Sequence, residues 1–463
     1  MAIWSKVKKN ELEGAMRFDA EYYQPDSIRK AALIRSKPHK TLADISRSVV
    51  NFGAYALCNQ IEYKDSGVPY LYVGNIKEGY IDDSEVKLID EGIHDTVLTK
   101  SQVGEGQVLL TIAGTIGNAA VAHHVPSKIN SNQAIAKITL REGYSPYYVV
   151  AFLNSDLGRF QTRRLVVSNV QPNLLLVQVK SLLIPDMPWN FQQAVEKKYE
   201  QALFLREKSS NLYACAERML LDELGLGDLD LSPTLFYERS YSEARAAARL
   251  DAEFYQPKYQ RVLRSLKRTK PERIAPLGDY ISFLTNGHTP LHHDLAEGEV
   301  PFLTAEHVFD FRIEYDSDKR ILAEHHNGEL KRTQLRKGDC VITIKGRIGN
   351  AAIAEDIPGE TNINQDVALF RLTEELPPYY LLAYLNSLVG KAFSEQYCTG
   401  QINPFLGLGN LRLLPIAIYS PKRMESIAAK TREVIVSARS ARDESRRLLE
   451  EAKRMVEEAV LGE

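Results

Sequence analysis

Four kinds of enzyme chemistry have their residue types in this chain, and none has its spacing. An amino-methyltransferase holds its target amino group between a side-chain acceptor and a Pro-Pro-aromatic turn. Leu376-Pro377-Pro378-Tyr379 has the turn, but leucine offers no acceptor. The segment 232 residues earlier reads Tyr144-Ser145-Pro146-Tyr147, which suits a plain helix start, and Asn403-Pro404-Phe405 lacks the second proline. Nucleotide chemistry needs a GxxxxGK(S/T) phosphate loop or a glycine fingerprint between strand and helix. The first is absent, and Gly104-Glu105-Gly106 enters a strand. His123/His124, His292/His293 and His325/His326 have neither CxxC partners nor HExxH spacing, so surface loops account for them. Asp294 and Glu297 form no nuclease pattern.

Binding chemistry is better represented. Between 258 and 273 stand Lys258, Arg261, Arg264, Lys267, Arg268, Lys270 and Arg273, with Glu272 the only acid. Arg159, Arg163 and Arg164 form a smaller group, and Lys331, Arg332, Arg336 and Lys337 another. Such runs are phosphate contacts or solvated helix faces, and a phosphate contact steepens salt dependence by about one unit of slope. The whole chain is not a polycation: 58 basic and 60 acidic residues among 463 give a charge of −2, which leaves room only for a localised basic surface. With 44% hydrophobic and 25% charged residues, the composition is that of a soluble globular protein with material for two cores. No run of about 18 apolar residues predicts a membrane span, and the N-terminus lacks the apolar stretch of a secretion signal. Cys58, Cys215, Cys340 and Cys398 form no CxxC pair, which predicts free thiols in a reducing cytoplasm.

The elements that must position these groups are written twice. Arg17-Phe-Asp-Ala-Glu-Tyr-Tyr-Gln-Pro25 returns as Arg249-Leu-Asp-Ala-Glu-Phe-Tyr-Gln-Pro257, an offset of 232. Val68-Pro-Tyr-Leu71 returns at Val300–Leu303, Thr111–Ala122 at Thr343–Ala354, Asn130-Ser-Asn-Gln133 at Asn362–Gln365, and Tyr147–Ser155 at Tyr379–Ser387, all at that offset. A tandem duplication follows, and two copies imply pseudo-two-fold symmetry rather than a solenoid. A symmetric dimer matches a palindromic DNA site; a fused pair with diverged halves could read two different half-sites.

Each half predicts a basic helical lead, a strand-rich region (42–140 and 274–372), a short helix from Pro146 or Pro378, and a long helix. Alternating apolar residues mark strands at Gln107–Ile112 and Asp339–Ile344. The long helices, 190–224 and 421–461, carry a heptad seam. In the first it runs through Ala202, Leu205, Ser209, Leu212, Ala216 and Met219; in the second, through Val434, Ala438, Ala441, Ser445, Leu448, Ala452 and Met455. Rows of Ala and Ser let two backbones approach, which predicts that the helices pair as an intramolecular coiled coil. The alternative is that each packs on its own globular half. The expected fold is α+β: two pseudo-symmetric globular domains of mixed sheet and short helices, separated by two long antiparallel helices. The expected segments are 1–189, 190–225, 226–420 and 421–463.

This layout resembles the specificity (S) subunit of Type I restriction–modification enzymes. The stretches Gly106–Asn118 and Gly338–Asn350 resemble that family's target-recognition-domain motif, and the resemblance spans nearly the whole chain. It implies two target recognition domains, each reading one part of a split, asymmetric double-stranded DNA site. It implies that the helices fix the separation and dock two modification (methyltransferase) subunits, with restriction subunits joining through them. No catalysis and no cofactor belong to the chain itself; S-adenosylmethionine belongs to the modification subunit. A near-neutral charge departs from a stand-alone DNA binder and points to shared phosphate binding.

On that reading the candidate DNA contacts are the places where the copies diverge. In the glycine turn, Ala113 and Thr115 stand where Lys345 and Arg347 stand in the second copy; Arg347 could grip guanine or a phosphate, and Lys345 a phosphate. After the Val-Pro-aromatic-Leu strand, Tyr72 and Asn75 correspond to Thr304 and His307, beside Glu306. Asparagine can pair with adenine and glutamate accept from cytosine. Asn118, Asn350, Arg163, Arg164 and Lys331 complete the candidates. Asn130, Asn132 and Gln133, with Asn362, Asn364 and Gln365, are the same in both halves, which favours a structural role. A related (Type IIB-like) specificity chain, a stand-alone methyltransferase or nuclease with an unrecognised site, and a non-DNA scaffold remain as alternatives.

Overall fold

The computed structural model describes residues 5–12, 19–52, 61–166, 172–291, 294–400 and 402–462. Arg17, Phe18, Cys58 and the His292/His293 pair lie outside them. The fold is mixed helix and sheet, in two compact units: Met1–Arg206 with Arg442–Glu463, and Glu207–Ala441.

In the first unit, α1 (Pro25–Arg35) leads into a four-stranded antiparallel sheet. Its order is β1 (Ser46–Val50), β5 (Ile135–Leu140), β3 (Val108–Thr111), β4 (Ala119–Val121). A second sheet pairs β2 (Val68–Leu71) in parallel with Asn130–Ser131. The alternation expected along Gln107–Ile112 is not the half-buried pattern of a strand facing water. Val108 and Leu110 enter one core cluster and Leu109 another, so β3 is covered on both faces. Strands buried on both sides read as continuous apolar runs. Next come α2 (Pro146–Asn154), capped by Ser145, whose hydroxyl accepts the Tyr148 N–H at 3.3 Å, and α3 (Asp156–Leu165). Every side chain of α2 after its proline is buried, wider than the single apolar face the sequence suggests.

The second unit repeats this at the 232 offset, except that its first strand starts 235 residues on, at Ile281 against Ser46. Its sheet runs β6 (Ile281–Asn286), β10 (Val367–Leu372), β8 (Cys340–Thr343), β9 (Ala351–Ile353), and β7 (Val300–Leu303) pairs in parallel with Asn362–Ile363. Cys340 and Ile342 face one cluster, Val341 the other. The helices α5 (Pro257–Arg268), α6 (Pro378–Asn386) and α7 (Leu388–Gln396) complete it, with α4 (Trp189–Leu224) and α8 (Pro421–Leu461) the two long helices of the chain.

The core of each unit takes in residues of both long helices. In the first unit Val195, Tyr199 and Ala202 of α4 join Leu448, Ala452 and Val456 of α8 in the core; in the second Tyr213, Ala216 and Leu220 join Ile427, Ile435 and Ala438. The two expected alternatives, pairing and packing on the globular part, therefore occur together. Pairing is antiparallel: in the first unit the Ser445 hydroxyl donates to the Ala202 carbonyl at 2.6 Å, with Lys198 against Glu451 at 2.6 Å. In the second the Ser209 hydroxyl donates to the Ala438 carbonyl at 2.7 Å, and Thr431 meets the Met219 sulfur at 3.4 Å. Ala202, Ser209, Ala216, Ala438, Ala441, Ser445, Leu448 and Ala452 are buried, while Leu205, Leu212, Met219, Val434 and Met455 flank them half-buried. The small-residue row is the centre of the seam because only short side chains let a serine reach the facing backbone. Among the described residues no helix is long and apolar enough to cross a membrane.

Candidate functional site

The hairpin between β3 and β4 turns at residues 112–118, and that between β8 and β9 at 344–350. Gly117 and Gly349 carry φ of +92° and +89°, a region that favours glycine. A Cβ on Gly117 would lie 2.7 Å from the Thr162 hydroxyl of α3, so that turn also has to be bare for the helix to approach. Thr111 and Thr343 pin the turns by accepting the N–H of Asn118 at 2.9 Å and of Asn350 at 3.0 Å.

Asn118 and Asn350 then join the turn to the loop after the Val-Pro-aromatic-Leu strand. The Asn118 amide donates to the Ile76 carbonyl at 2.9 Å, and that of Asn350 to the Val308 carbonyl at 3.3 Å. Their side-chain oxygens accept from Arg159 at 2.7 Å and from Lys391 at 2.7 Å. Both asparagines are spent inside the protein. Asn75 and His307 are buried, and each accepts the N–H that begins its own loop, from Tyr72 at 2.8 Å and from Thr304 at 3.1 Å. Asn75 also donates to the Asp82 carbonyl at 2.9 Å, and Thr304 is buried. Burial, with Lys319 adding to it, pushes the His307 pKa down, so the ring is neutral at ordinary pH. Their divergence is that of two capping residues, since a carboxamide oxygen and a ring nitrogen cap equally well.

The structure thus brings together the two segments in which the copies diverge, and what they expose differs between units. In the second, Lys345 and Glu306 are exposed and Arg347 is half-buried. The Arg347 guanidinium lies 4.7 Å from the Phe309 ring centroid and donates to the Glu306 carbonyl at 3.4 Å. Arg312 covers the same ring at 3.9 Å, and Glu306 pairs with Lys319 at 3.3 Å. In the first unit Thr115 is exposed and the neighbouring group is aromatic. Tyr72 packs edge-on to Tyr63 and Tyr70, and Lys87 lies 4.4 and 5.3 Å from the Tyr63 and Tyr72 centroids.

Other candidates stand elsewhere. Arg164 donates to the Tyr22 carbonyl at 2.9 Å with its guanidinium 3.8 Å from that ring, a clamp on the lead segment. Gln396 does the same in the second unit, donating to the Phe254 carbonyl at 3.0 Å. Arg163 is exposed at the end of α3, and Lys331 is exposed on a separate turn, Lys331–Thr333. In the 258–273 run, Lys258 pairs with Glu395 at 2.8 Å and Arg261 with Asp230 at 3.1 Å, while Arg264, Lys267 and Arg268 face solvent.

Sequence places Arg159 only in a basic group and His326 only in a histidine pair, and does not single out Glu78, Asp310, Lys391 or His94. Arg159 and Glu78 pair at 2.7 Å, and 232 positions on Lys391 and Asp310 pair at 2.6 Å. The signal was the sign of the charge at the offset, not the letter. Burial pushes the Asp310 pKa up against the pull of Lys391, and pushes that of Arg159 down. Two more lie beneath the repeated asparagines. His94 bonds Asn130 at 2.6 Å, and His326 bonds Asn362. The His325/His326 pair is therefore not a plain surface loop: His326 is buried, because its ring fills the hydrogen-bonding need of an equally buried amide. Among the described residues no group of three or more His, Cys, Asp or Glu could hold a metal ion.

No family model and no curated protein matches the chain. Three of the solved structures to which it is similar follow. One is a Type I restriction–modification system S subunit from M. genitalium, with 13% identity over 90% of this chain and 95% of that one and a TM-score of 0.42. The second, described by complex assembly and conformational transition of the type I R-M system, has 14% identity over 91% and 97% and a TM-score of 0.31. The third is an HsdS subunit from Thermoanaerobacter tengcongensis, with 14% identity over 91% and 95% and a TM-score of 0.29. At such identities and TM-scores, function has to be argued from this chain's own residues.

Proposed function

We propose that this chain is the DNA sequence-specificity subunit of a Type I restriction–modification system, each unit reading one half of a bipartite, asymmetric site. One observation carries the reading. On a scaffold repeated in both units, the residues that are the same are spent inside, and the exposed rim of turn and loop differs in chemistry. A fold kept twice under two different surfaces suits two readers of different sequences. Arg347 offers the fork that fits guanine or phosphate, Lys345 a phosphate contact, and Glu306 an acceptor for cytosine; Tyr72 and Thr115 offer aromatic and methyl contact in the first unit. The long helices dock two modification subunits, which hold S-adenosylmethionine and perform the methylation, and restriction subunits join through them. The chain supplies specificity and no catalysis, in the cytoplasm where the host DNA lies.

The test is a long-read methylation map of the host with and without the chain. Loss of one split motif is expected; an unchanged map overturns the proposal. Replacing residues 42–186 by the equivalent region of another such chain changes one half of that motif and leaves the other.

A further inference from the structure

We propose that Arg159 and Lys391 are positioning residues for base discrimination, each locking its unit's glycine turn to its variable loop. The inference deepens the DNA-reading function proposed above and rests on it. The Arg159 guanidinium meets the turn twice, at the Ile116 carbonyl (3.4 Å) and at Asn118 (2.7 Å), and the loop once, at Glu78 (2.7 Å). The Lys391 ammonium meets the turn at Asn350 (2.7 Å) and the loop at Asp310 (2.6 Å). In both units the cation comes from the helix after the Tyr-Tyr helix, the amide from the turn and the acid from the loop. Arg with Glu in one unit becomes Lys with Asp in the other, so the tie is kept while both of its ends change.

The tie sits directly beneath the rim. Thr115 is three residues before Asn118, and Arg347 three before Asn350. Arg159 is only 8% exposed, so water competes little for its guanidinium. The loop is anchored on its far side as well: Glu78 pairs with Lys453 of α8 at 3.3 Å. A rim that reads base edges needs its groups held to within about 0.5 Å, and the cation adds an ionic lock to the Asn118 and Asn350 hydrogen bonds that already join turn and loop.

The experiment is the methylation map in a host that carries the full chain and its partner subunits, with the module replacement above identifying which half each unit reads. Arg159→Met is expected to relax the first unit's half alone, sites with one mismatch there being methylated roughly tenfold more often. Lys391→Met does the same to the other half. Arg159→Lys and Lys391→Arg, which keep the tie, leave the motif as it was. A merely structural role would lower methylation at every site together without altering the motif. That result, an unchanged motif, or relaxation of both halves by one variant overturns the inference. If Arg159→Met does not accumulate, Glu78→Gln takes its place: it removes the ionic tie at constant size, and the same one-sided relaxation is expected. A wild-type map without a split motif sinks the DNA-reading function itself, which is a different failure.

Discussion

Single side chains divide into those that build the rim and those that present it. Arg347 presents it: Arg347→Ala is expected to cost about 1–3 kcal/mol of discrimination at one base pair of the second half-site and nothing in the first, measured by competition between cognate and single-substituted duplexes. Lys345→Ala should weaken all sequences alike and lower the slope of affinity against salt by about one unit. Asn75, His307, Asn118 and Asn350 build it, and sequence could not tell the two classes apart. A buried amide and a base-reading amide are the same letter; only the partner decides. Lys137 is a further case. It lies on β5 at 1% exposure with the Ser131 hydroxyl at 3.4 Å, and burial pushes its pKa down to about 8. The second copy has Leu369 there. Between about pH 8 and the ordinary lysine value of 10.5 the unfolded chain binds the proton more readily, so stability rises with pH across that window. Below it the whole penalty is present. Lys137→Met is therefore expected to stabilise the first unit at neutral pH by roughly 2–4 kcal/mol, the gain shrinking as pH approaches 10, in denaturant titrations at several pH values.

At the scale of elements, the strands, the proline-started helices and the small-residue seam were all legible, because each is a periodicity within a few turns of chain. What covers them was not. The apolar run of β3 reads the same whether one face or both are covered, and two separate clusters cover it. The seam named which residues of α4 and α8 face inward, yet not that the same helices also close the cores of both units. The pair Arg159 and Glu78 lies 81 positions apart, beyond any local pattern, and surfaces only when charge sign is compared at the offset. The seam itself makes a sharp prediction. Ala202 is fully buried and its carbonyl receives the Ser445 hydroxyl at 2.6 Å. Ala202→Leu should overpack the crossing and cost about 1–3 kcal/mol in thermal unfolding. Lys208→Leu, exposed on the same helix, should stay within about 0.5 kcal/mol, which separates packing from helix propensity.

For the whole molecule the duplication is itself the argument. Strand order recurs in the two main sheets, and the turn glycines, the loop caps Asn75 and His307 and the cation–acid tie recur at the offset of 232, so residues 42–186 and 274–418 are two solutions to one set of packing constraints. Each module meets the lead segment of its unit through matching contacts: Arg164 donates to the Tyr22 carbonyl at 2.9 Å, and Gln396 to that of Phe254 at 3.0 Å. A chain in which 274–418 replaces 42–186 therefore meets seams of the kind it already makes. One position that meets a changed partner is Lys453 of α8, which would face the aspartate of the second module instead of Glu78, shorter by one methylene but of the same charge. Such a chain should fold with two compact units and direct methylation to a motif whose halves both carry the second module's bases. Methylation mapping checks it directly. A map that retains the first module's half would mean that residues outside 42–186 do the reading. A chain that does not fold would mean that the two copies have diverged in their seams as well as on their rims.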